Sequence, residues 1–530
     1  MPSIEPKSID RIKPGDRLLT DAGVFAKAGT PIDERTIRLL ARHKITYVPT
    51  VSLTYEEQDR EDFTEEKIQE YLAKSIASSR GRFAADRERL TEKLKSIYVP
   101  FHEDEKIFHE SGKKKQLTGG VLLEKEPGPL YQPDIDAGSL ALLSQNDVRY
   151  LHELVTGVYN ALSKLTRIAP DTRGQKNRIP RGHSPSIRLH SAYDGERLST
   201  LGDAFVHHAV DTAILYLVTL VNINKKRITE GCPLSADRFD PDKGYDETSK
   251  FQYREDLIIE STLGILLHAL GWFQSDIHKL VSSKPLLSRK DQRGIKQVRL
   301  LQRNIYVVRN LLRNRHDISS LSRMMVALQR DYPDGTGFPP PNTNRFHHEF
   351  VRLFQIASFY DEMTNPVTGK VPYSRMDVIG YMRGNSGPYA YSREEFSPSP
   401  RFDSELLEEF VSVLAPYSVG EKVYLFEKGS RNAPAFVGRV YSYLDSWIPL
   451  ISVLKDERRI KIYKYGQMLF YLPTSDVLIM SKGKVSKRSR VEWVKDLEIV
   501  DASISPGTIG EYADLLYGSE RPLSRQLRGG

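Results

Sequence analysis

The hydrophobic period of the chain changes near Val419, and this change constrains the fold more than any other feature. Upstream, Val206–Val221, Leu257–Trp272, Ile295–Leu312 and Phe350–Met363 carry apolar residues at helical spacing. Downstream, Lys422–Phe426, Ala435–Tyr443, Leu450–Leu454, Arg459–Tyr463 and Met468–Leu472 are short runs rich in β-branched and aromatic residues. Gly and Asp turns separate them. Helical and strand patterns segregated along a chain argue for separate helical and β units. At 530 residues the chain is also too long for one ordinary core, and roughly 100–200 residues per domain gives three or four.

The ends of the chain read differently from its middle. Residues 1–52 form a small strand–strand–helix–strand module, with strands at Arg17–Leu19 and Val24–Ala28. Its helix follows Asp33 and carries Ile37, Leu40 and Ala41 on one face, and a last strand lies around Ile45, Tyr47 and Val48. An interaction or homodimerisation role suits such a module. Residues 53–139 are a charged helical arm and a linker. Ile68, Leu72 and Ile76 make one apolar stripe, Leu90, Leu94 and Ile97 a second, and Ser78-Ser79-Arg80-Gly81 interrupts them. Lys113–Lys115 in the linker reads as a solvated loop, with phosphate contact as the alternative. The basic run Lys482–Arg490, with Trp493 behind it, reads as a solvated turn between strands, with an anionic surface as the alternative partner. Residues 501–530 read as a tail.

Composition removes several kinds of chemistry. Cys232 is the one cysteine, so an intramolecular disulfide, a Cys-based zinc site and an iron–sulfur cluster are excluded. Any metal site must use carboxylates and the 13 histidines. The first residues lack the apolar stretch of a signal peptide, and no segment offers about 18 uninterrupted apolar residues. A cytoplasmic protein without membrane insertion is expected. The balance of 77 Lys+Arg against 69 Asp+Glu leaves +8, which permits an anionic partner without requiring one. Basic residues are scattered rather than striped, which argues against nucleic acid. No phosphate-binding Gly-x-x-x-x-Gly-Lys loop, Gly-x-Ser-x-Gly elbow or His-Glu-x-x-His pair is present.

An ordered series of landmarks spans residues 200–415. His207-His208 opens an apolar helix. Leu266-Leu267-His268-Ala269-Leu270-Gly271, Lys284-Pro285-Leu286-Leu287 and Asp334-Gly335-Thr336-Gly337-Phe338-Pro339 follow. Ile356-Ala357-Ser358-Phe359-Tyr360-Asp361-Glu362-Met363-Thr364, Pro372-Tyr373 and Phe402-Asp403-Ser404-Glu405-Leu406 complete the series. In order and wording this resembles the HD-GYP family of the HD phosphohydrolase superfamily, bacterial phosphodiesterases of cyclic di-GMP. The N-terminal module resembles a small domain often found ahead of HD-GYP domains, through Ile12-Lys13-Pro14-Gly15 and Ala28-Gly29-Thr30-Pro31. Tyr417-Ser418-Val419-Gly420 resembles the segment that leads out of them. The resemblance implies a multidomain α+β protein. A central all-α domain, residues 140–415, would be flanked by the small N-terminal α/β module and by a small β-barrel or sheet domain, residues 416–500.

Family chemistry uses two or three divalent cations about 3.5–4 Å apart to activate water and clamp phosphate oxygens. Matched position by position, His208 and His268 survive as remnants of the metal ligands. Ala269 stands where the bridging aspartate should be, and Trp272 replaces a lysine. Val298–Asn304 lacks the next histidine, Gln329-Arg330 replaces a histidine pair, and Ser358 replaces an aspartate. Asp331 stands at a glutamate, and Asp361 reads as a structural helix carboxylate. Arg330 puts positive charge where a cation belongs. His347-His348 lies off the motif. The expectation is a catalytically inactive, cofactor-free signalling protein that binds a protein partner or cyclic di-GMP. A divergent phosphodiesterase with divalent iron or manganese is the alternative. Candidate ligand-binding residues are Arg330, Asp334, Gly335, Gly337, Phe338 and Pro339. The insertion Asn224–Asp256 reads as a docking feature or an ordinary elaborated loop.

Overall fold

The computed structural model describes residues 3–8, 12, 16–18, 32–42, 47–52, 65–98, 143–168, 201–232, 250–273, 304–305, 308–309, 311–334, 336–337, 347–365, 373, 375–389 and 400–414. In the C-terminal region it describes 422–427, 436–443, 449–456, 468–471, 476–481, 484–490 and 497–500. The described residues are largely helical. The chain divides into two compact units. One draws on 1–88, 154–189 and 217–259, the other on 89–153, 190–216 and 260–530.

In the first unit, strands β1 (Ser3–Ser8) and β2 (Arg17–Leu18) flank β3 (Tyr47–Ser52) in an antiparallel sheet of order β1-β3-β2. The register places Pro6 opposite Pro49. Neither proline has an N–H, so that pair can sit only at a non-hydrogen-bonded position. Strand β2 pairs with Val51 and Thr50 and stops one residue short of Pro49. The first strand lies at 3–8, within a stretch that reads from sequence as charge and proline, and the expected strand at 24–28 lies outside the described residues. Helix α1 (Glu34–Arg42) starts where expected, because Asp33 Oδ1 accepts the Thr36 N–H at 2.7 Å.

Helix α2 runs unbroken from Glu65 to Tyr98. The expected interruption at Ser78–Gly81 does not occur. Ser79 is buried, and it lies three helical turns before buried Leu90, so the stripe stays in phase with Leu94 and Ile97. Serine and glycine cost less than about 1 kcal/mol each in a helix, which one packed stripe offsets. Helix α3 (Gln145–Ile168) begins with a reciprocal cap. Ser144 Oγ accepts the Asp147 N–H at 3.1 Å, and Asp147 Oδ2 accepts the Ser144 N–H at 2.9 Å.

Helix α4 (Leu201–Thr229) includes Phe205–Ile228, which is long and apolar enough to cross a bilayer, yet 83% of that span's apolar window is buried in the protein. Its end is fixed by Gly231 at φ 74°. Cys232 N–H donates to Arg227 O at 2.9 Å and Gly231 N–H to Ile228 O at 3.1 Å. The foot of the insertion is clasped. Asn224 Nδ2 donates to Tyr253 O and Asn224 Oδ1 accepts the Tyr253 N–H, both at 2.7 Å. The Arg227 guanidinium lies 4.5 Å over the Tyr253 ring. Residues 233–249 lie outside the described set.

Helix α5 (Glu255–Leu267) ends at His268 and passes into a 3₁₀ turn, Leu270–Phe273, in the second unit. Helix α6 (Ser320–Ala327) is capped by Ser319. Helices α7 (Glu349–Thr364), α8 (Arg375–Gly384) and α9 (Ser404–Val413) pack together, with a two-residue parallel bridge between β4 (Ser386–Gly387) and β5 (Phe402–Asp403). Most of the expected helix at 295–312 and all of 284–287 lie outside the described residues.

The C-terminal strands are β6 (Lys422–Glu427), β7 (Phe436–Tyr443), β8 (Pro449–Asp456), β9 (Met468–Tyr471), β10 (Asp476–Ser481), β11 (Lys484–Arg490) and β12 (Leu497–Val500). They form one antiparallel sheet of order β11-β10-β9-β8-β7-β6-β12. Four expected strands reappear within a residue or two, and Arg459–Tyr463 lies outside the described set. The basic run is corrected. Residues 484–490 are a strand paired along β10, not a turn. Charge is common on a strand that ends a sheet, since it discourages further pairing.

Candidate functional site

Every residue of α7 from Phe350 to Thr364 is buried except Ser358. A helix buried all round has no wet face for polar groups, so Arg352, Gln355, Asp361 and Glu362 need partners inside the protein. These partners form two clusters, one at each end of the helix.

At the C-terminal end, His208 Nδ1 of α4 lies 2.6 Å from Asp361 Oδ2. His268, at the end of α5, brings its Nε2 to 3.3 Å from His208 Nε2. His268 Nδ1 bonds the Ile265 carbonyl, and its ring meets Phe354 edge-on at 5.2 Å. Hydrogen positions follow from these partners. A carbonyl only accepts, so His268 Nδ1 donates and its Nε2 carries a lone pair. A carboxylate only accepts, so His208 Nδ1 donates. With His208 Nε2 also protonated, the approach of the two Nε2 atoms is a hydrogen bond onto the His268 lone pair, and His208 is then an imidazolium beside a neutral His268. The electrostatics agree. Burial disfavours charge on His208, but the Asp361 hydrogen bond and charge, with Glu362 nearby, raise its pKa. Burial, the His208 charge and the Arg330 charge together bring His268 down to about 3, against the pull of the Ile265 carbonyl.

Beside the histidines, Arg330 Nη2 donates to Glu362 Oε2 at 3.1 Å and Oε1 at 3.3 Å, and both side chains are buried. Ala269 is fully buried and offers no ligand atom, and Ser358 is half-buried. Among the described residues no group of three or more His, Cys, Asp or Glu side chains is placed to hold a metal. Of the positions that the resemblance would place at a two-metal centre, Ala269 and Ser358 bring no carboxylate, and the Arg330 guanidinium is fixed beside His208 and His268.

At the N-terminal end, Arg352 pairs with Asp403, donates from Nε to His347 O at 3.0 Å and lies 3.8 Å over the Tyr389 ring. Asp403 also caps α9, accepting from Glu405 N–H at 2.9 Å and Leu406 N–H at 3.2 Å. Burial raises the Asp403 pKa, opposed by Arg352 and by those two N–H groups. His347 and His348 have separate roles. His347 Nε2 lies 3.7 Å from Asp331 Oδ2, and His348 Nδ1 caps α7 at the Phe350 N–H.

The loop after Arg330 joins the two ends. Tyr332 N–H donates to Thr336 O at 3.0 Å, and Asp331 bridges Gly337. Asp334 Oδ1 accepts from Thr336 N–H at 2.9 Å. Arg401 donates to Asp334 Oδ2, to Thr336 Oγ1 (both 3.1 Å) and to the Tyr381 hydroxyl at 3.2 Å. Gly337 has φ +99°, and a Cβ there would fall 1.7 Å from Arg330 O, so only glycine fits. Of the six expected ligand-binding residues, Arg330, Asp334 and Gly337 are thus tied into this loop. Gly335, Phe338 and Pro339 lie outside the described residues.

Three residues of the site escape the sequence reading. Asp361 is more than a structural helix carboxylate, because it orients His208. Glu362 stands where the resembled motif has alanine, and its only sequence signal is that it departs together with Arg330. Arg401 has no signal beyond its place before Phe402-Asp403. No protein-family model matches the chain, and no curated protein and no solved structure matches it.

Proposed function

We propose that the chain is a catalytically inactive HD-GYP-like signalling protein of the cytoplasm that acts by binding, as a scaffold for a protein partner or as a sensor of a cyclic dinucleotide such as cyclic di-GMP. In this reading residues 140–415 are the degenerate helical domain, and the N-terminal module and C-terminal sheet are partner surfaces. The observation that carries it is the buried Arg330–Glu362 pair beside His208 and His268, with Ala269 where a bridging carboxylate would be. Two-metal hydrolysis needs several anionic or neutral donors around each cation. Here a fixed guanidinium stands among them. The signature loop keeps its turn through Gly337 and the Arg401 bonds, which supports a shape retained without its chemistry.

A second reading, a divergent phosphodiesterase using divalent iron or manganese, has one observation in its favour. The two Nε2 atoms converge to 3.3 Å, and each Nδ1 is held by an oxygen, as in histidines that ligate metals. Metal content, cyclic di-GMP binding and cyclic di-GMP hydrolysis on the purified full chain test both readings. Binding without hydrolysis supports the sensor, and neither supports the scaffold. Stoichiometric metal with hydrolysis overturns the inactive reading.

A further inference from the structure

Two departures from the resembled motif, 32 positions apart in sequence, meet in space. Arg330 replaces a histidine and Glu362 replaces an alanine, and their side chains form one buried ion pair. Glu362 follows Asp361, whose carboxylate holds His208, which in turn meets His268. Buried carboxylates next to converging histidine nitrogens ordinarily draw a divalent cation, because unpaired buried charge costs several kcal/mol per ion. In this cluster the chain supplies its own cation, a buried arginine, and because arginine does not deprotonate in proteins that charge is permanent.

We infer that Arg330 is a tethered cation that takes the place of a bound metal ion. Paired with Glu362, it closes the cluster, fastens the start of the signature loop to α7, and excludes divalent metal from the His208–His268 pair. The inference deepens the inactive reading but does not depend on any dinucleotide being bound. Arg330 is a positioning residue, and its substitution acts through the charge it removes.

The test uses the chelator-treated full chain, with Mn²⁺ or Zn²⁺ as probe, and reads melting temperature and bound metal at equilibrium. The wild-type melting temperature is expected to be unmoved by either ion. Arg330→Met keeps an unbranched apolar stem and removes the charge. It is expected to melt lower without metal and to regain roughly 5–10 °C when metal is present at about a hundred times its dissociation constant. Arg330→Lys keeps the charge and is expected to stay unresponsive to metal, which keeps the test decisive if Arg330→Met fails to fold. A metal response in the wild type or in Arg330→Lys overturns the inference, as does Arg330→Met matching wild-type stability without metal, or melting lower and gaining nothing from either ion. A wild-type chain that binds metal without hydrolysing cyclic di-GMP overturns this inference alone. A chain that shows the expected metal pattern and yet hydrolyses cyclic di-GMP overturns only the inactive reading.

Discussion

The two ends of α7 bury charge in different ways. At the N-terminal end the charged pair also serves the backbone. Asp403 caps α9 and Arg352 binds the His347 carbonyl. At the C-terminal end the charges of His208, Asp361, Arg330 and Glu362 bind mainly one another. Fastening parts of the backbone accounts for the Arg352–Asp403 pair. It does not account for the convergence of two histidines at the other end of the helix.

The largest expected effect breaks the N-terminal cluster. Arg352→Met leaves Asp403 buried without its cation and should lower unfolding stability by about 3–5 kcal/mol, read from urea midpoints. A loss below about 1 kcal/mol would show that this end is not the fastening it is described as. Next, Gly337→Ala forces a Cβ against Arg330 O at positive φ. It should cost about 3 kcal/mol and disturb the hydrogen-exchange protection of both ends, since the loop joins them.

The third effect separates the ends by pH. The raised pKa of His208 gives stability that is present at low pH and lost as pH rises through its folded value. The depressed pKa of His268 gives stability that is present above about 6.5 and lost as pH falls. Below about pH 6 the unfolded pair binds two protons and the folded pair one. Stability should therefore fall by about 1.4 kcal/mol per pH unit between pH 6 and 4.5 from this pair. His268→Gln should flatten that limb relative to wild type. Equal slopes in wild type and His268→Gln would refute the one-proton assignment.

The smallest effect concerns Asn304, fully buried against Gly271, with neither amide atom hydrogen-bonded among the described residues. Removing an unsatisfied buried amide is neutral or favourable, so Asn304→Leu should change stability by less than about 1 kcal/mol, in the stabilising direction. A large loss would show that the amide is satisfied in the folded protein.

Much of the fold was legible in sequence because period and capping are local. The helical runs from Val206 and Phe350, the Asp33 cap and four C-terminal strands follow from spacing and residue type alone. The continuity of α2 through Ser78–Gly81 was not legible, because burial of Ser79 outweighs a weak local preference. Strand β11 was hidden for a similar reason, since its charges suit a solvated turn until the neighbouring strand β10 supplies the ladder. In the site, His208, His268, Ala269 and Arg330 could be placed on a pattern, whereas Glu362 and Arg401 could not.

The sequence by itself determined that this chain has long helices before Val419 and short strands after it, and it puts Ala269, Arg330 and Ser358 at positions where the resembled motif carries ligands. The first follows from residue type and spacing, the second from the resemblance. Only the tertiary structure decided that Arg330 and Glu362 answer one another, that Asp361 holds His208, and that Asp334 is bound by Arg401. The physical reason is that a buried charge is defined by its partner, and each of these partners lies between 32 and 153 residues away along the chain.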